Sequence, residues 1–489
     1  PCNKKHKGTN QRIHGGSYVC TQPDHRMDLQ SFTLQAFIFP TTPDKGVQGI
    51  LTKWVGPRKS GYGMFVDEKA CLACWIGDGK GKVATVSSGK ALMRKVWYLA
   101  AVSYDSKSGR VRVYQQPVVT PTNGGLGLSM LHPASQTAAA VTGTARVKPA
   151  KNDAPFLMAA NTLRARCGRH LQGAHYAEAK EPFPLPEQEN VYNGKIDRPR
   201  LANRALDKDE IDALARGFAS CESELRGAVV GAWDFHANIS DNIASCQIID
   251  TSPNKLSGFA VNLPVRAMTG YNWTSDEIVF HHRPEEYGAI HFHDDDIDDA
   301  RWAASFTYTI PKGLKSGVYG ARLRIAGKST PETEDYVPFF VRPPHGKTTA
   351  KVCLIIPTNS YLAYSNDNLA TNSVVAELLS GRVPIMQASD LYLNEHREYG
   401  LSTYSLHSDG SGVCYSTRLR PILNMRPKYR HWLSPSLWQL NADLHLTDWL
   451  EMRGIAFDVH TDEDLDREGV DLLNRYPVVL TGSHPEYSS

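Results

Sequence analysis

Long apolar runs, clustered cysteines and blocks of one charge sign are all missing from this chain of 489 residues. No apolar stretch approaches the roughly 20 residues that cross a membrane, and the opening PCNKKHKGTNQR is polar and basic, unlike a signal peptide. Lysine and arginine number 54 against 51 acidic residues, which gives a formal charge of +3. Without a basic block, nothing indicates a nucleic-acid partner. We therefore expect a cytoplasmic protein that binds neither membrane nor nucleic acid.

The nine cysteines lack the spacing of a zinc cluster or a disulfide framework. One C-x-x-C spacing occurs, at Cys71 and Cys74 in ACLACW, but no second pair lies nearby. This pattern favours reduced thiols in a cytoplasm. We interpret both cysteines as strand residues.

A chain of this length is expected to form about three domains. Between about Gly16 and Val119, short strands alternate with turns, as in SFTLQAFIFP, GILTKWV and WYLAAVSYD. This is typical of an antiparallel sandwich. The stretch 120–150, rich in Pro, Gly, Thr and Ser, predicts a long insertion or loop, and VVGAWDF, after a helix-like LDKDEIDALARGFAS, predicts the strand that closes the sandwich. The first predicted domain spans 1–275.

The segment 276–345 predicts a small immunoglobulin-like connector, because its apolar runs are again antiparallel in character. It contains AIHFHDDDIDDARW, in which His291, His293 and Asp295 would share one face of a strand, a spacing known from metal sites. A metal-dependent amidohydrolase would require a barrel of alternating strands and helices around this motif. The favoured interpretation is an acidic strand edge with partly buried histidines, and a calcium site in 294–299 has no further support.

From residue 346 onward, strands alternate with helices. VCLII, LTDWLEMRG, IAFDVH, TDEDLD and YPVVLTGSHPEY follow in this order, which predicts a parallel α/β layer. Val478, Val479 and Leu480 form a short apolar strand, expected to be buried on both faces of the sheet. Three strands do not close such a sheet, so the domain 346–489 is expected to be incomplete at Ser489.

Polar side chains follow the strands of this layer, at the edge where open α/β sheets bind ligands. They are Asn359, Tyr361 and Tyr364 after the first strand, Tyr404 and His407 in a long Gly-, Ser- and Tyr-rich loop, and Ser483, His484 and Glu486 after the third strand. Phenolate and carboxylate oxygens are ligands of hard cations. The residues leave open whether they form a metal site or whether the tyrosines only pack and Ser483 caps a helix.

Two resemblances extend this interpretation. The segments QSFTLQAFIFPT, ILTKW, WYLAAVSYD and GAWDF resemble the laminin-G/concanavalin-like jelly roll, a fold that binds sugars or serves as an interaction module. Over nearly its whole length the chain is similar to the large-subunit family of N,N-dimethylformamidase. That similarity is carried by NLPVRAMTGYNW, EEYGAIHFHDDD, SGVYGARL, IIPTNSYLAY, GLSTYSLHSDGSGVCYSTRLRPIL and VVLTGSHPEY.

The second resemblance implies a jelly roll and a connector joined to a glutaminase-like α/β domain that holds one iron(III) ion per chain. The implied ligands are Tyr364 of SYLAY, Tyr404 of LSTYS and Glu486 of HPEY. Tyr361 and Tyr415 lie in the same segments as the two tyrosines and are alternatives to them. The family also has a small helical subunit, which implies a hetero-oligomer here.

The expected reaction is hydrolysis of N,N-dimethylformamide, a small neutral amide, to dimethylamine and formate by iron-activated water. His484 is expected to position the water or to move a proton, beside the metal ligand Glu486, and Asn359 is expected to orient the oxyanion. Two alternatives stay open. One is an amidase of glutaminase-like fold with Ser483 or Cys414 as nucleophile, and the other is a non-enzymatic carbohydrate-binding or adhesive sandwich protein.

Overall fold

The computed structural model describes residues 12–124, 135–171, 176, 179, 183–239, 245–327, 334–369, 377–378, 380–433 and 436–487. The chain divides into two compact units, which in these ranges comprise 14–298, and 12–13 with 299–487. No helix in the same ranges is long and apolar enough to cross a membrane.

The first unit is a β-sandwich. Of the described strands, ten form one sheet: Tyr18–Thr21, Gln48–Val55, Ser60–Val66, Cys71–Asp78, Val83–Ala91, Leu157–Met158, Asn161–His170, Pro184–Glu189, Gln247–Ile248 and Gly258–Val261. Eight more form the other: Phe32–Pro40, Tyr98–Asp105, Arg110–Pro117, Ala139–Thr144, Gly194–Ala202, Val229–Ala232, Val265–Met268 and Ala289–Phe292. The strand pairs are antiparallel, except for one bridge between Thr162 and Val55. The predicted antiparallel sandwich is confirmed.

The strand Phe32–Pro40 shows how the second sheet is buried on both faces. Leu34 and Ile38 point into the core between the sheets, whereas Phe37 and Phe39 pack into a second apolar cluster on the outer face. The helices Lys208–Arg216 and Ser223–Ala228 cover that face. The first of them begins at the predicted acidic turn, where Asp207 and Glu210 form a capping box.

Two predictions on the sandwich have different outcomes. Cys71 and Cys74 lie in a strand as reduced thiols, as expected. The predicted loop 120–150 contains the strand Ala139–Thr144, which pairs with Arg110–Pro117, while 125–134 lie outside the described residues. The small residues of this strand leave its two-residue alternation too weak to read from the sequence.

The boundary between sandwich and connector lies later in the chain than the sequence places it. Ala289–Phe292, inside the predicted connector, pairs antiparallel with Gly194–Ala202 of the second sheet. The first compact unit accordingly ends at Asp298. Among the described residues that follow, up to 345, an antiparallel hairpin forms from Gly317–Arg324 and Glu334–Val341.

The second unit contains a parallel sheet. Val352–Ile356 is its central strand, with Phe457–Thr461 on one side and Val478–Thr481 on the other. The described helices of this unit are Thr358–Ala363, Ala388–Glu395, Leu440–Met452, Asp462–Glu468 and Val470–Leu473. Helix Leu440–Met452 ends before Gly454, which has a φ of +66°, as the sequence predicted.

The strand Val478–Thr481 is not buried on both faces. Val478 is 45% exposed and Val479 is 39% exposed, because this strand has only the central strand beside it in the described part of the sheet. A run of apolar residues identifies a strand, but its depth in the sheet depends on the neighbouring strands.

Candidate metal centre

Helix Thr358–Ala363 begins directly after the central strand and places the first tyrosine. Tyr364 follows the last helical residue and is held there from both sides, since its amide N–H donates to the Ser360 carbonyl at 3.2 Å and its carbonyl accepts from Asn424 Nδ2 at 2.8 Å. The ring therefore has a fixed position at the carboxyl end of the sheet.

The second tyrosine comes from the long loop and is tied to the same helix. The N–H of Thr403 donates to the Ala363 carbonyl at 3.0 Å, and the Thr403 hydroxyl donates to that same oxygen at 3.1 Å. Tyr404, the next residue, stacks on Tyr364 with ring centroids 4.3 Å apart and an angle of 14° between the planes. The two phenol oxygens consequently lie side by side, 2.8 Å apart.

The third group comes from the turn after Val478–Thr481. A Cβ atom at Gly482 would lie 2.5 Å from both Asp443 Oδ2 and Pro357 Cδ, so only glycine allows the backbone to pass here. Beyond it, the buried Ser360 hydroxyl accepts hydrogen bonds from the Glu486 N–H at 3.0 Å and the Tyr487 N–H at 3.3 Å. These contacts fix the backbone from which the Glu486 side chain extends.

The three acidic groups converge on one point. The Tyr364 hydroxyl lies 2.7 Å from Glu486 Oε2, and the Tyr404 hydroxyl lies 3.2 Å from each carboxylate oxygen of Glu486. The three residues are far apart in sequence, so only the folded chain brings their oxygens together. We call these three residues the oxygen cluster.

The pKa values of the three side chains determine which of them carry a proton near neutral pH. Burial raises the pKa of Tyr364 to about 12. Burial, together with hydrogen bonds to Tyr364 and Tyr487, raises the pKa of Tyr404 above its usual value. The hydrogen bond from Tyr364 lowers the pKa of Glu486. Near neutral pH, two protonated phenols therefore face one ionised carboxylate.

Next to the oxygen cluster lie an imidazole and an indole. His484 Nε2 lies 2.9 Å from Glu486 Oε2. Trp438 packs edge-on against Tyr364, with centroids 5.8 Å apart, and against His484 at 5.2 Å. The side chains of His484 and Glu486 are 38% and 39% exposed, so the cluster has an apolar wall on the Trp438 side and is open on the Glu486 side.

Tyr361 and Tyr415, the alternatives to the two tyrosine ligands, have surroundings that differ from those of Tyr364 and Tyr404. The Tyr361 hydroxyl is buried and donates to Asp443 Oδ2, not to the oxygen cluster. Tyr415 is 41% exposed. Asn359 follows the central strand as expected, and its N–H donates to Asp462 Oδ2 at 2.8 Å. No hydrogen bond joins its side chain to the oxygen cluster in the described residues.

The candidate nucleophile Ser483 does not pair with His484 within the described residues. The N–H of Ser483 donates to Asp443 Oδ1, while the neighbouring imidazole of His484 is directed to Glu486. Cys414 is exposed, and its thiol lies 3.8 Å from the Gly412 carbonyl. A Ser–His dyad would need the two side chains within hydrogen-bond distance.

The histidines of the acidic segment are buried in the sandwich. His291 lies in the strand Ala289–Phe292, and the ring of His293 is 4.1 Å from it. Nδ1 of His293 lies 3.1 Å from Asp296 Oδ2, which also accepts from the Ser17 hydroxyl at 2.6 Å. The predicted burial of these histidines is therefore observed, and it is more complete than expected.

Two residues at the oxygen cluster were missed by reasoning from the sequence. The Tyr487 hydroxyl is hydrogen-bonded to that of Tyr404, and its signal was present in the motif HPEY, directly after the proposed ligand. Trp438 had no signal in the sequence, because it precedes the helix Leu440–Met452 and reaches the cluster only through tertiary packing.

Two family models match parts of this chain. A family model described as N,N-dimethylformamidase beta subunit-like, C-terminal, matches residues 265–489. A second, described as Concanavalin A-like lectin/glucanases superfamily, matches residues 14–161. The second match agrees with the observed sandwich and with the predicted laminin-G/concanavalin-like jelly roll.

The chain is also similar to whole proteins. It is 39% identical over 484 residues to the N,N-dimethylformamidase beta subunit of Alcaligenes sp, and 39% identical over 485 residues to that of Paracoccus aminophilus. Each match covers 98% of this chain and 60% of the relative. A solved structure, the native heptameric SAP-like pentraxin of Limulus polyphemus, matches at 13% identity over 41% of this chain and 76% of that one, with a TM-score of 0.25.

The chain thus spans about 60% of the length of the curated relatives that it matches. The matched regions extend from the sandwich through the oxygen cluster, and they include every motif on which the resemblance was based. The chain is thus similar to the N,N-dimethylformamidase beta subunits over 98% of its length, and its residues 265–489 match the family model of their C-terminal part.

Proposed function

We propose that this chain carries the metal site of an amide hydrolase that converts N,N-dimethylformamide to dimethylamine and formate. The observation that carries the proposal is the convergence of Tyr364, Tyr404 and Glu486 on one point. The two relatives are named as subunits of an N,N-dimethylformamidase, and their similarity to this chain includes the segments that provide all three residues.

The donor set fits an iron(III) ion in charge and in spacing. Two neighbouring ligands at about 2.0 Å from an octahedral ion lie about 2.8 Å apart, and the oxygens here are 2.7 to 3.2 Å apart. Two phenolates and one carboxylate carry three negative charges, which match a trivalent hard cation. We assign Tyr364, Tyr404 and Glu486 as the ligands of one iron ion per chain.

When bound, such an ion would polarise an amide carbonyl and acidify a water molecule. The protein residues provide the remaining functions. Trp438 and the stacked rings of Tyr364 and Tyr404 give an apolar wall, against which the N-methyl groups of a small neutral amide can pack. Such a ligand has few atoms, so we expect weak binding and a high KM.

His484 is the proton carrier in this proposal. Its Nε2 atom is hydrogen-bonded to Glu486 at 2.9 Å, which fixes the ring beside the oxygen cluster. From this position the imidazole can hold a proton for the departing amine or orient a water molecule. Asn359 is assigned the weaker role of orienting the oxyanion, because it follows the central strand at the same end of the sheet.

The test is elemental analysis combined with the visible spectrum of the purified protein. We expect iron at a ratio near one per chain, with a phenolate-to-iron charge-transfer band. Zinc at the same ratio without colour would contradict the ligand assignment. It would instead favour a metal site at His291 and His293.

Three further assignments belong to the same proposal. The parallel sheet would form part of a glutaminase-like α/β domain, the chain would pair with a small helical subunit, and the enzyme would act in the cytoplasm. The relatives are named beta subunits, which supports the second assignment. Co-expression with a candidate small subunit, followed by mass measurement of the purified complex, tests it, and a chain that remains alone would contradict it.

A further inference from the structure

One buried carboxylate contacts the segments that carry the oxygen cluster without belonging to the cluster. Asp443 is 2% exposed and lies in the first turn of the helix Leu440–Met452. A position near a helix N-terminus favours its negative charge. Leu440 and Leu450 of this helix pack in the same apolar cluster as Leu354 of the central strand. The helix therefore holds the Asp443 carboxylate at a fixed position relative to the parallel sheet.

The two oxygens of this carboxylate accept hydrogen bonds from two different segments. Oδ1 accepts from the N–H of Ser483, in the turn that follows the strand Val478–Thr481. Oδ2 accepts from the hydroxyl of Tyr361, in the helix Thr358–Ala363. The turn carries Glu486 and the helix directly precedes Tyr364. One carboxylate is thus bonded to the segments that provide two of the three residues of the oxygen cluster.

The turn also packs tightly against this carboxylate. A Cβ atom at Gly482 would lie 2.5 Å from Asp443 Oδ2 and 2.5 Å from Pro357 Cδ. The backbone that leads into Ser483 therefore lies directly against both the carboxylate and the residue before the helix Thr358–Ala363. In a close-packed interior, a change at Asp443 is transmitted to the turn.

The hydrogen bond from Tyr361 orients the carboxylate. Burial, together with the negative charge of Asp443, raises the pKa of Tyr361 well above its usual value. The phenol therefore keeps its proton and acts as a donor. With Oδ2 engaged by Tyr361, Oδ1 is directed to the Ser483 N–H.

We propose that Asp443 is a positioning residue of the metal site. By accepting the Ser483 N–H, it sets the start of the turn from which His484 and Glu486 extend, while Ser360 holds the other end of the turn through the Glu486 N–H. The inference rests on the proposed function, because iron is the ion assigned to the oxygen cluster. Groups that orient metal ligands contribute about 10–100-fold to metal affinity.

The first test is the iron affinity of variants at Asp443. Metal-free chain is titrated with iron(III) in competition with nitrilotriacetate, and binding is followed by the charge-transfer band. Asp443→Ala removes the hydrogen bonds to Ser483 and Tyr361 and should weaken iron binding about 10–100-fold. Asp443→Asn should restore most of the affinity, because an amide oxygen can accept from the Ser483 N–H while the amide N–H donates to the Tyr361 oxygen.

Tyr361→Phe is the matched control. It removes one of the two hydrogen bonds of Asp443 and leaves the one to Ser483, so it should lower the Tm and change iron affinity by less than about threefold. An equal loss of affinity in Tyr361→Phe and Asp443→Ala would show that lost stability alone weakens the site, and it would overturn the proposal. Unchanged affinity in Asp443→Ala would overturn it as well.

Asp443→Glu decides the question if Asp443→Ala does not fold. It keeps the negative charge but moves the carboxylate by one methylene toward the closely packed Gly482. If the position of the carboxylate matters, iron affinity should fall about tenfold although the charge is retained. Unchanged affinity would contradict a positioning role.

Hydrogen exchange of the metal-free chain separates this inference from the proposed function. We expect Asp443→Ala to raise amide exchange in the turn 482–487 about tenfold, and Tyr361→Phe to raise it less. Unchanged exchange in Asp443→Ala would overturn the positioning role whether or not the chain binds iron. Faster exchange in a chain that binds no iron would support the role of Asp443 in holding the turn and would contradict the iron assignment alone.

Discussion

Replacing Tyr404 by phenylalanine removes one oxygen from the oxygen cluster and leaves its ring in place. The hydroxyl contacts Tyr364 at 2.8 Å and both Glu486 oxygens at 3.2 Å. The stack on Tyr364, at 4.3 Å between centroids, does not require the hydroxyl. Under the proposed ligand set, the substitution should therefore strip the iron while the fold remains intact.

The expected loss of folding stability is smaller than the expected loss of metal-binding free energy. Each lost hydrogen bond contributes about 0.5–1.5 kcal/mol to folding, and the site is partly open to water, so we expect the Tm to change by only a few degrees. Substitution of groups that merely support a metal ligand lowers metal affinity about 10–100-fold. Loss of an anionic ligand should exceed that range, which corresponds to more than about 2.8 kcal/mol of binding free energy.

The assay is iron content per chain, together with the charge-transfer band and the far-ultraviolet circular dichroism. Tyr361→Phe is the matched control, because the Tyr361 hydroxyl is buried against Asp443 and lies outside the cluster. It should lower stability and retain iron. If Tyr404→Phe keeps its iron and its activity, Tyr404 is not a ligand, and Tyr415→Phe becomes the next variant to measure.

Three further outcomes follow from the same structure. Tyr487→Phe removes the hydrogen bond to the Tyr404 oxygen, so the phenolate becomes more electron-rich and the charge-transfer band should move to longer wavelength with unchanged iron content; an unmoved band would contradict this. Lys195 is buried and its pKa is lowered to about 8, so the unfolded chain binds more protons between about pH 8 and 10.4, and stability should rise across that window by about 3 kcal/mol. Denaturant titrations of Lys195→Met should lack this rise, and an equal rise in both proteins would show that another group causes it. Ser483→Ala should retain at least half of the activity, because Ser483 forms no hydrogen bond with His484 in the described residues, and a thousandfold loss would favour the nucleophilic mechanism.

The sequence predicted the position of the oxygen cluster because strand ends can be recognised locally. VCLII and VVLT are short apolar runs bounded by proline and glycine, and polar residues follow each of them. Parallel strands have their carboxyl ends at one edge, so Tyr364 and Glu486 were expected near each other. The stacking of Tyr404 on Tyr364 was not predictable in this way, because it depends on a loop bonded to the Ala363 carbonyl.

The end of the sandwich was harder to predict for a related reason. AIHF has the composition of a strand, but its partner, Gly194–Ala202, lies almost one hundred residues earlier in the chain. Strand pairing at such separation leaves no local pattern in the sequence.

Hydrogen bonds between the two phenols and the carboxylate join the three side chains of the oxygen cluster. Two phenols and one carboxylate at 2.7 to 3.2 Å would repel one another if all three were ionised. The raised pKa values of both tyrosines keep their protons, and these protons form the hydrogen bonds that hold the three side chains together. The proposed trivalent ion would displace two protons, and it would not need to move the backbone, because Ser360 and Gly482 already hold the backbone of this turn in place. Binding should therefore release protons and strengthen with pH, and it should leave the circular dichroism of the chain unchanged.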